Sequence, residues 1–343
     1  MEDNLSAKID VLGINVEGGG SSESMRKIQT ETSSYVSKEL IRKQKELIKL
    51  IEKELSDSSQ IRIIFSIDDL DKSWLSTSEI RYDFINALLE AFKELLDIKS
   101  VKILISIRTD ILIGIYKNNL RQSEKDQSLI YPVYWNKKEI REILDLRIDY
   151  LVKNKYRSSQ KVTFSDVFNF NVNGVSADVY IIERTMLRPR DAIDFVNLCL
   201  AECDGNIELN SSIILEAEEK FYSKRKQALC HEWKSIFSYI DCYLDSLSYI
   251  KIQEFNIDDI SNHTKEEILN HLAEYPYNYK IHNNHEEKLG NIKDLIKIWF
   301  TVGVIGIKKT DSLIIYSSFD KQELDITDIE KNFYIHPLFF RYN

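Results

Sequence analysis

Residues 62–107 contain the pattern that most limits the fold of this chain: two short apolar runs separated by one long amphipathic segment. The runs IIFSI (63–67) and VKILISI (101–107) are nearly all apolar, as strands are when both faces of a parallel sheet are covered. Between them, from residue 79 to 98, apolar side chains recur at helical spacing. This order predicts a βαβ unit with parallel strands and a right-handed crossover, and therefore an α/β fold.

Charged residues follow both predicted strands. Asp68 and Asp69 come directly after the first strand, and Arg108 and Asp110 follow the second. Because parallel sheets bind ligands beyond the carboxyl ends of their strands, we expect these charges at one edge. In phosphoryl transfer, one such acid holds the Mg²⁺ of a nucleoside triphosphate, the next orients the attacking water, and a cation neutralises the phosphate. The alternatives are solvated or helix-capping acids and a surface ion pair between Arg108 and Asp110.

A further pair of positive charges lies in ERTMLRPRDAIDFVN, where Arg188 and Arg190 flank Pro189 at the predicted start of a helix. A positive charge in the first turn opposes the helix dipole by about 0.3–1 kcal/mol unless an anion lies nearby. Asp191 offsets part of that cost. A bound phosphate explains both arginines, and structural salt bridges are the alternative.

Four segments, in their order along the chain, resemble parts of AAA+ and STAND-type P-loop ATPases. IIFSIDDLDKSW resembles the Walker B strand, and KILISIRTD is similar to the sensor-1 strand with its terminal arginine. LRPRDAIDFVN resembles the sensor-2 start of the lid, and YIHPLFF is similar to the winged-helix end of a bacterial group of these ATPases. The resemblance extends from about Tyr35 to the end of the sequence. It implies ATP and Mg²⁺ as cofactors and a nucleotide-dependent switch, of a kind implied in bacterial signalling or defence.

The resemblance also implies a role for individual residues. Asp68 would bind Mg²⁺, and Asp69 would orient the attacking water. Arg108 would act as sensor 1, and Arg188 and Arg190 would bind the nucleotide, with Arg190 as sensor 2.

The phosphate-binding loop of these ATPases, Walker A, is absent, because no glycine in the chain is followed by lysine and GxxxxGK[ST] has no match. VEGGGSS has glycines without lysine, and we interpret it as a linker. The chain is then either the C-terminal portion of a longer ATPase, which we favour, or a non-hydrolysing pseudo-ATPase that serves as a protein- or DNA-binding module. We expect negligible hydrolysis by this chain alone. A sheet without the P-loop strand would expose a hydrophobic edge.

The predicted fold class is an incomplete parallel P-loop NTPase sheet followed by a helical lid and a winged-helix module. A helix is predicted from Tyr35 to Leu55, and LIYPVYW at 129–135 is a candidate third strand at the edge of the sheet. The C-terminal part contains a helix followed by a hairpin that turns at residues 310–312. The predicted organisation is a flexible lead-in at 1–34, a partial P-loop ATPase core at 35–151, a helical lid at 152–218 and a winged-helix-like domain at 219–343.

Charge and composition limit the partners. The chain has a formal net charge of -9, and residues 221–343 hold 15 Lys and Arg against 18 Asp and Glu, so a protein partner or self-oligomer is favoured over DNA. No apolar run approaches the ~20 residues that span a bilayer, and the start has no leader pattern, so a cytoplasmic location without a membrane is expected. The four cysteines form no CxxC pair; Cys199 and Cys203 are expected in the core, and the histidines of 263–285 at the surface, rather than in metal sites.

Overall fold

The computed structural model describes most of the chain and divides it into two compact units. The first unit comprises Met1–Trp74 with Asp83–Ile107, and the second comprises Leu75–Tyr82 with Arg108–Asn343. The described residues are 22–55, 63–70, 78–93, 98, 101–118, 126–157, 159–274, 291–310, 313–329 and 331–341.

The first unit contains the predicted βαβ arrangement. Strands β1 (Ile63–Ile67) and β2 (Val101–Ile105) pair in parallel, with Ile63 opposite Val101 and Ile67 opposite Ile105. Helix α2 (Ser78–Lys93) lies between them in sequence, and its first turn belongs to the second unit. The sequence prediction of two parallel strands joined through a helix is therefore confirmed.

Helix α1 (Ser22–Leu55) precedes this sheet and is longer than predicted. The prediction placed its start at Tyr35 and assigned residues 1–34 to a flexible lead-in. That boundary is wrong for residues 22–34, which are helical. Ser, Thr and Glu in SESMRKIQTETSS are compatible with a helix even though they supply no apolar stripe, so the hydrophobic period alone placed the start too late.

The two strands are less covered than their apolar sequences suggested. Ile64 is 62% exposed, and Phe65 and Leu104 are each 50% exposed. Burial on both faces, which we predicted, is therefore not found. The described sheet of this unit has two strands, and a sheet that narrow has few neighbouring side chains to cover either face.

The second unit is mostly helical up to residue 249. Its helices range from 4 to 23 residues in length, and several begin with side-chain caps, for example the capping box of Asn136 and Glu139. These helices are α3 (Thr109–Asn118), α4 (Lys137–Tyr156), α5 (Phe164–Val167), α6 (Ala177–Glu183), α7 (Pro189–Glu202), α8 (Ser211–Trp233) and α9 (Ile240–Ser246), with single 3-10 turns at Gln127–Leu129 and Leu247–Tyr249.

Two local predictions in this region have clear outcomes. Helix α7 begins at Pro189, as predicted, and Gly205 follows its end with φ +82°. The candidate third strand at 129–135 is not a strand, because residues 130–136 form no ladder. Its large side chains, such as Tyr131 and Val133, are exposed. An apolar run becomes a strand only where a neighbouring strand pairs with it.

Between residues 157 and 177 the structure contains a small hairpin of β3 (Asn171–Val172) and β4 (Val175–Ser176). The sequence analysis did not predict it.

The last part of the second unit contains a four-stranded antiparallel sheet and two helices. The sheet order is β5-β8-β6-β7, and β6 pairs with β7 as the predicted hairpin requires. Residues 311 and 312 of its predicted turn lie outside the described residues. The elements in chain order are β5 (Glu254–Phe255), α10 (Asn262–Glu274), α11 (Ile292–Thr301), β6 (Ile305–Thr310), β7 (Leu313–Ile315), a 3-10 turn at Ile326–Asp328 and β8 (Phe333–Ile335).

One hydrophobic cluster runs through the second unit from Ile113 to Phe339. Within it Phe195 of α7 stacks on Phe221 of α8, with ring centroids 4.6 Å apart. The indole Nε1 of Trp299 on α11 donates to the carbonyl oxygen of Tyr243 on α9 at 2.6 Å. The helices of residues 137–233 and the C-terminal sheet therefore share a core. Among the described residues, no helix is long and apolar enough to cross a membrane.

Candidate functional site

The two adjacent acids lie where β1 ends. The carboxyl ends of β1 and β2 are side by side, and the Ser106 amide donates to the Ile67 carbonyl oxygen at 2.8 Å. Asp68 and Asp69 are both exposed, and the Asp69 amide donates to Asp68 Oδ1 at 2.8 Å. Asp69 has φ +63°, a left-handed conformation that aspartate tolerates better than most residues. The turn after the strand thus presents two carboxylates to solvent at the edge where parallel sheets bind ligands.

In the second unit, three arginines surround one carboxylate, and we call Arg108, Arg188, Arg225 and Glu232 the arginine cluster. Arg188 Nη1 donates to both oxygens of Glu232, at 3.1 and 3.2 Å. Arg225 Nη2 also donates to both oxygens, at 3.2 and 3.1 Å. Arg108 Nη2 lies 3.6 Å from Glu232 Oε1. Arginines from the segment after β2, from the start of α7 and from α8 therefore share one negative charge.

Two aspartates complete the charge balance around the arginine cluster. Arg108 donates from Nε and Nη2 to Asp110, at 3.0 Å for each bond. Arg225 Nε lies 3.5 Å from Asp191 Oδ2, a distance that allows an ion pair, but both of these buried atoms lack a hydrogen bond within the described part of the chain. Arg108 therefore pairs with Asp110 as well as lying near Glu232, and the ion pair with Asp110 is one of the alternatives given in the sequence analysis. Arg225 has Asp191 as a second and more distant partner.

The arginines differ in how far solvent reaches them. The side chain of Arg225 is 6% exposed and that of Glu232 13%. By contrast, 40% of the Arg108 side chain and 43% of the Arg188 side chain are exposed. The cluster thus has a buried base, formed by Arg225 and Glu232, and two arginines that an anion can reach from solvent.

The pKa shifts of the three carboxylates near the arginines differ in direction. Burial raises the pKa of Glu232, but Arg188, Arg225 and Arg108 outweigh it, so the pKa of Glu232 is lower than usual. Burial raises the pKa of Asp110 and of Asp191 above the usual value in spite of their neighbouring arginines. Burial, with Arg188 nearby, lowers the pKa of Arg225. Glu232 is therefore the carboxylate that the arginines stabilise most strongly in its ionised form.

A strained turn holds the start of α7. Met186 and Leu187 both have positive φ, +50° and +51°, although neither is glycine. Such conformations cost roughly 1–2 kcal/mol each and persist where the surrounding packing maintains them. Both side chains pack against the hydrophobic cluster, and Met186 Cε comes within 3.4 Å of the position that a Cβ on Gly303 would occupy. The position of Arg188, the N-cap residue of α7, is thereby tied to the C-terminal part of the unit.

The predicted site residues are only partly brought together. Arg108 and Arg188 meet at Glu232, whereas Asp68 and Asp69 belong to the first unit. Arg190 is exposed in the first turn of α7 and has no ion-pair or hydrogen-bond partner among the described residues.

Sequence reasoning missed Glu232 and Arg225. A signal for them exists in α8, where Glu218, Arg225 and Glu232 are seven residues apart and lie on the buried stripe of Ile214 and Phe221. Charges at this spacing on an apolar face indicate partners from other elements.

Other potential ligands form no site in the part of the chain that the structure describes, where no group of His, Cys, Asp or Glu could hold a metal ion. Cys199 is buried in the core, as predicted, and burial raises the pKa of its thiol to about 12. His263 is exposed, as predicted, but His271 is half-buried, so the surface position predicted for it is wrong. His282 and His285 lie outside the described residues.

Comparison with known families adds two matches. Residues 6–137 match the KAP family P-loop domain, and residues 138–230 match the FunZ-associated C-terminal helical domain. The first match supports a P-loop NTPase, a class that binds nucleotide and metal, and it includes most of the segment that we interpreted as a lead-in. The matches meet at the start of α4, so Arg108 lies in the first and Arg188 in the second. No curated protein and no solved structure matches the chain.

Proposed function

We propose that this chain binds a nucleoside triphosphate, in the first place ATP with Mg²⁺, and acts as a nucleotide-dependent switch. One observation carries the proposal: Arg108 and Arg188, each singled out as a phosphate-binding residue, converge on a shared carboxylate while remaining accessible to solvent. Guanidinium groups bind phosphate oxygens through paired hydrogen bonds, so two accessible arginines suit a polyphosphate. The match to a P-loop domain supports the same class of ligand.

The remaining roles follow the same chemistry. Asp68 is the Mg²⁺ ligand and Asp69 orients the attacking water, since exposed carboxylate oxygens at a strand end suit both tasks. Arg108 stabilises the terminal phosphate, as in sensor 1. Arg190 projects from the first turn of α7 and contacts the nucleotide, as in sensor 2, together with Arg188.

The C-terminal part transmits the nucleotide state. Its order of helix, strand, two helices, hairpin and final strand, with β8 between β5 and β6, supports a winged helix. Of the two lysines near the hairpin tip, Lys308 is paired with Glu254. A protein partner or a second copy of the chain therefore suits this module better than DNA.

Hydrolysis by this chain alone is expected to be negligible, because GxxxxGK[ST], the loop whose amides and lysine bind the phosphates, has no match in the sequence. The same absence favours a second candidate function, a pseudo-ATPase that binds nucleotide without turnover or serves as a binding module. Measured ATP turnover distinguishes the two: turnover abolished by Asp69→Asn establishes a hydrolase, and binding without turnover establishes the pseudo-ATPase.

Calorimetric titration with Mg-ATP tests the proposal. Arg190→Ala should weaken binding by about tenfold, since a hydrogen bond to a charged group contributes about 1.5–3 kcal/mol. Lys138→Ala is the matched control, because Lys138 is also an exposed cation in the first turn of a helix. Equal effects of the two variants would show that Arg190 acts only through net charge, and no binding by the unaltered chain would refute nucleotide binding.

A further inference from the structure

Glu232 is an internal anion that already binds one accessible arginine, Arg188, and lies close to a second, Arg108. The ionised carboxylate of Glu232 competes with any phosphate for the same guanidinium groups. The two oxygens of Glu232 accept from Arg188 and Arg225, and Arg108 lies just beyond hydrogen-bonding distance at 3.6 Å.

We propose that Glu232 is an autoinhibitory latch, which holds Arg108 and Arg188 in the nucleotide-free protein and releases them to the phosphates when a nucleotide binds. This inference rests on the proposed function, because it concerns regulation of the same arginines. A polyphosphate carries more negative charge than one carboxylate and offers more acceptor oxygens, so it can take both arginines from Glu232.

Moving Arg108 and Arg188 from Glu232 to the phosphates costs little free energy, because the groups left behind keep other partners. When Arg108 and Arg188 leave, Glu232 keeps the two hydrogen bonds from Arg225. Arg225 is 6% exposed, so it stays beside Glu232, and no buried charge is left without a partner. Arg108 also keeps Asp110 as it approaches the ligand.

Release of Arg188 can also affect the C-terminal part of the second unit, because Arg188 is linked to it through neighbouring residues. Arg188 is the N-cap residue of α7 and directly follows the strained pair Met186 and Leu187. Met186 packs beside Gly303, just after α11. Release of Arg188 from Glu232 therefore removes one restraint on a strained turn that touches the C-terminal part.

Calorimetric titration with pyrophosphate and with Mg-ATP tests the latch. Glu232→Gln removes the competing charge at almost constant shape, and affinity for both probes should rise by about tenfold, within the usual range of coupling between sites. Glu216→Gln is the matched control, since Glu216 is an exposed glutamate on the same helix, and its affinity should not change.

A second variant is needed because Glu232→Gln leaves the buried Arg225 without its charged partner and could fail to fold. Glu232→Asp keeps the charge but withdraws the carboxylate by one methylene group, so its affinity should rise by a smaller factor. Thermal unfolding of each variant verifies folding.

The outcomes separate the two claims. Binding by the unaltered chain that the Glu232 variants leave unchanged or weaken overturns the latch and leaves the proposed function standing. Weaker binding would mean that Glu232 positions the arginines for the ligand. No binding by the unaltered chain or by any folded variant refutes the proposed function itself, and the latch with it.

Discussion

At the residue scale, Glu232 and Glu218 are largely buried carboxylates with positively charged partners within reach. Glu232 has three arginines, and Glu218 accepts from Tyr180 at 2.5 Å and from Arg184 Nε at 2.9 Å. Removing one partner of such a group leaves the other charged and desolvated, which costs more than the pair itself contributes. A Glu-to-Gln variant keeps the shape and a hydrogen-bond acceptor but removes the charge, so its folding must be measured beside its binding.

His336 is a buried group whose ionisation should affect stability near neutral pH. Its Nδ1 accepts from the Leu338 amide at 3.3 Å. Burial, with Arg184, Arg225 and Lys137 nearby, lowers the pKa of His336 from 6.5 to about 3. The folded protein therefore holds His336 neutral at pH values where the unfolded chain protonates it. Its contribution to stability is complete above the unfolded pKa and is lost as the pH falls toward the folded one.

Denaturant unfolding at several pH values checks this contribution. Between about pH 6.5 and about pH 5, the free energy of unfolding should fall by up to about 1.4 kcal/mol per pH unit because of His336. His336→Gln should flatten that dependence, whereas His263→Gln, at an exposed position, should leave it unchanged. Identical slopes for the unaltered chain and His336→Gln would contradict the assignment.

At the element scale, α8 connects two groups of charges. Glu232 lies in the arginine cluster, and Glu218 pairs with Arg184 and with Arg341 near the C-terminus. The two glutamates are four turns apart on one face of a helix that also carries Arg225. A shift of α8 would change both groups together, so this helix couples the arginine cluster to the charges near the C-terminus.

Helix α2 is anchored at its start by Tyr82. Tyr82 is 2% exposed, and its hydroxyl is 2.7 Å from Ser235 Oγ, just after α8. A Cβ added to Gly114 of α3 would lie 2.4 Å from the ring of Tyr82. The absence of a side chain at Gly114 is therefore required for α2 and α3 to pack at this point.

Gly114→Ala should destabilise the protein by roughly 1–3 kcal/mol, the usual cost of overpacking a well-packed core. The cost should be much smaller in a Tyr82→Ala background, where the ring that meets the new methyl group is gone. Chemical denaturation of the four proteins of this double-mutant cycle gives the coupling energy. An additive cycle would show that the two residues are not in contact.

At the scale of the whole molecule, sequence patterns predicted those structural features that are determined by residues close together in the sequence. The βαβ unit, the start of α7 at Pro189 and the β6–β7 hairpin follow from apolar period and local turn chemistry. Coverage of β1 and β2 could not be predicted, because it depends on which other elements pack against them. For the same reason the apolar segment 129–135 could not be distinguished from a strand.

The candidate site was predictable in its accessible residues and not in its buried ones. Arg108 was predicted because it follows the second strand, and Arg188 because it flanks Pro189 at the start of a helix. Their shared partner, Glu232, lies on another helix, and its pairing exists only in the folded chain. In the sequence, the pairing of Glu232 with the arginines is indicated by the seven-residue spacing of Glu218, Arg225 and Glu232.

The central claim is that Arg108 and Arg188 bind the phosphates of a nucleotide, and the most direct test is the affinity of the Arg108→Ala/Arg188→Ala double variant for Mg-ATP. Arg225 still compensates Glu232 in this variant, and thermal unfolding verifies that the variant folds after Asp110 has lost Arg108. The account predicts a loss of about a hundredfold or more, since each charge-assisted hydrogen bond contributes about 1.5–3 kcal/mol. Binding equal to that of the unaltered chain would contradict the claim and leave the arginine cluster as a structural salt-bridge network.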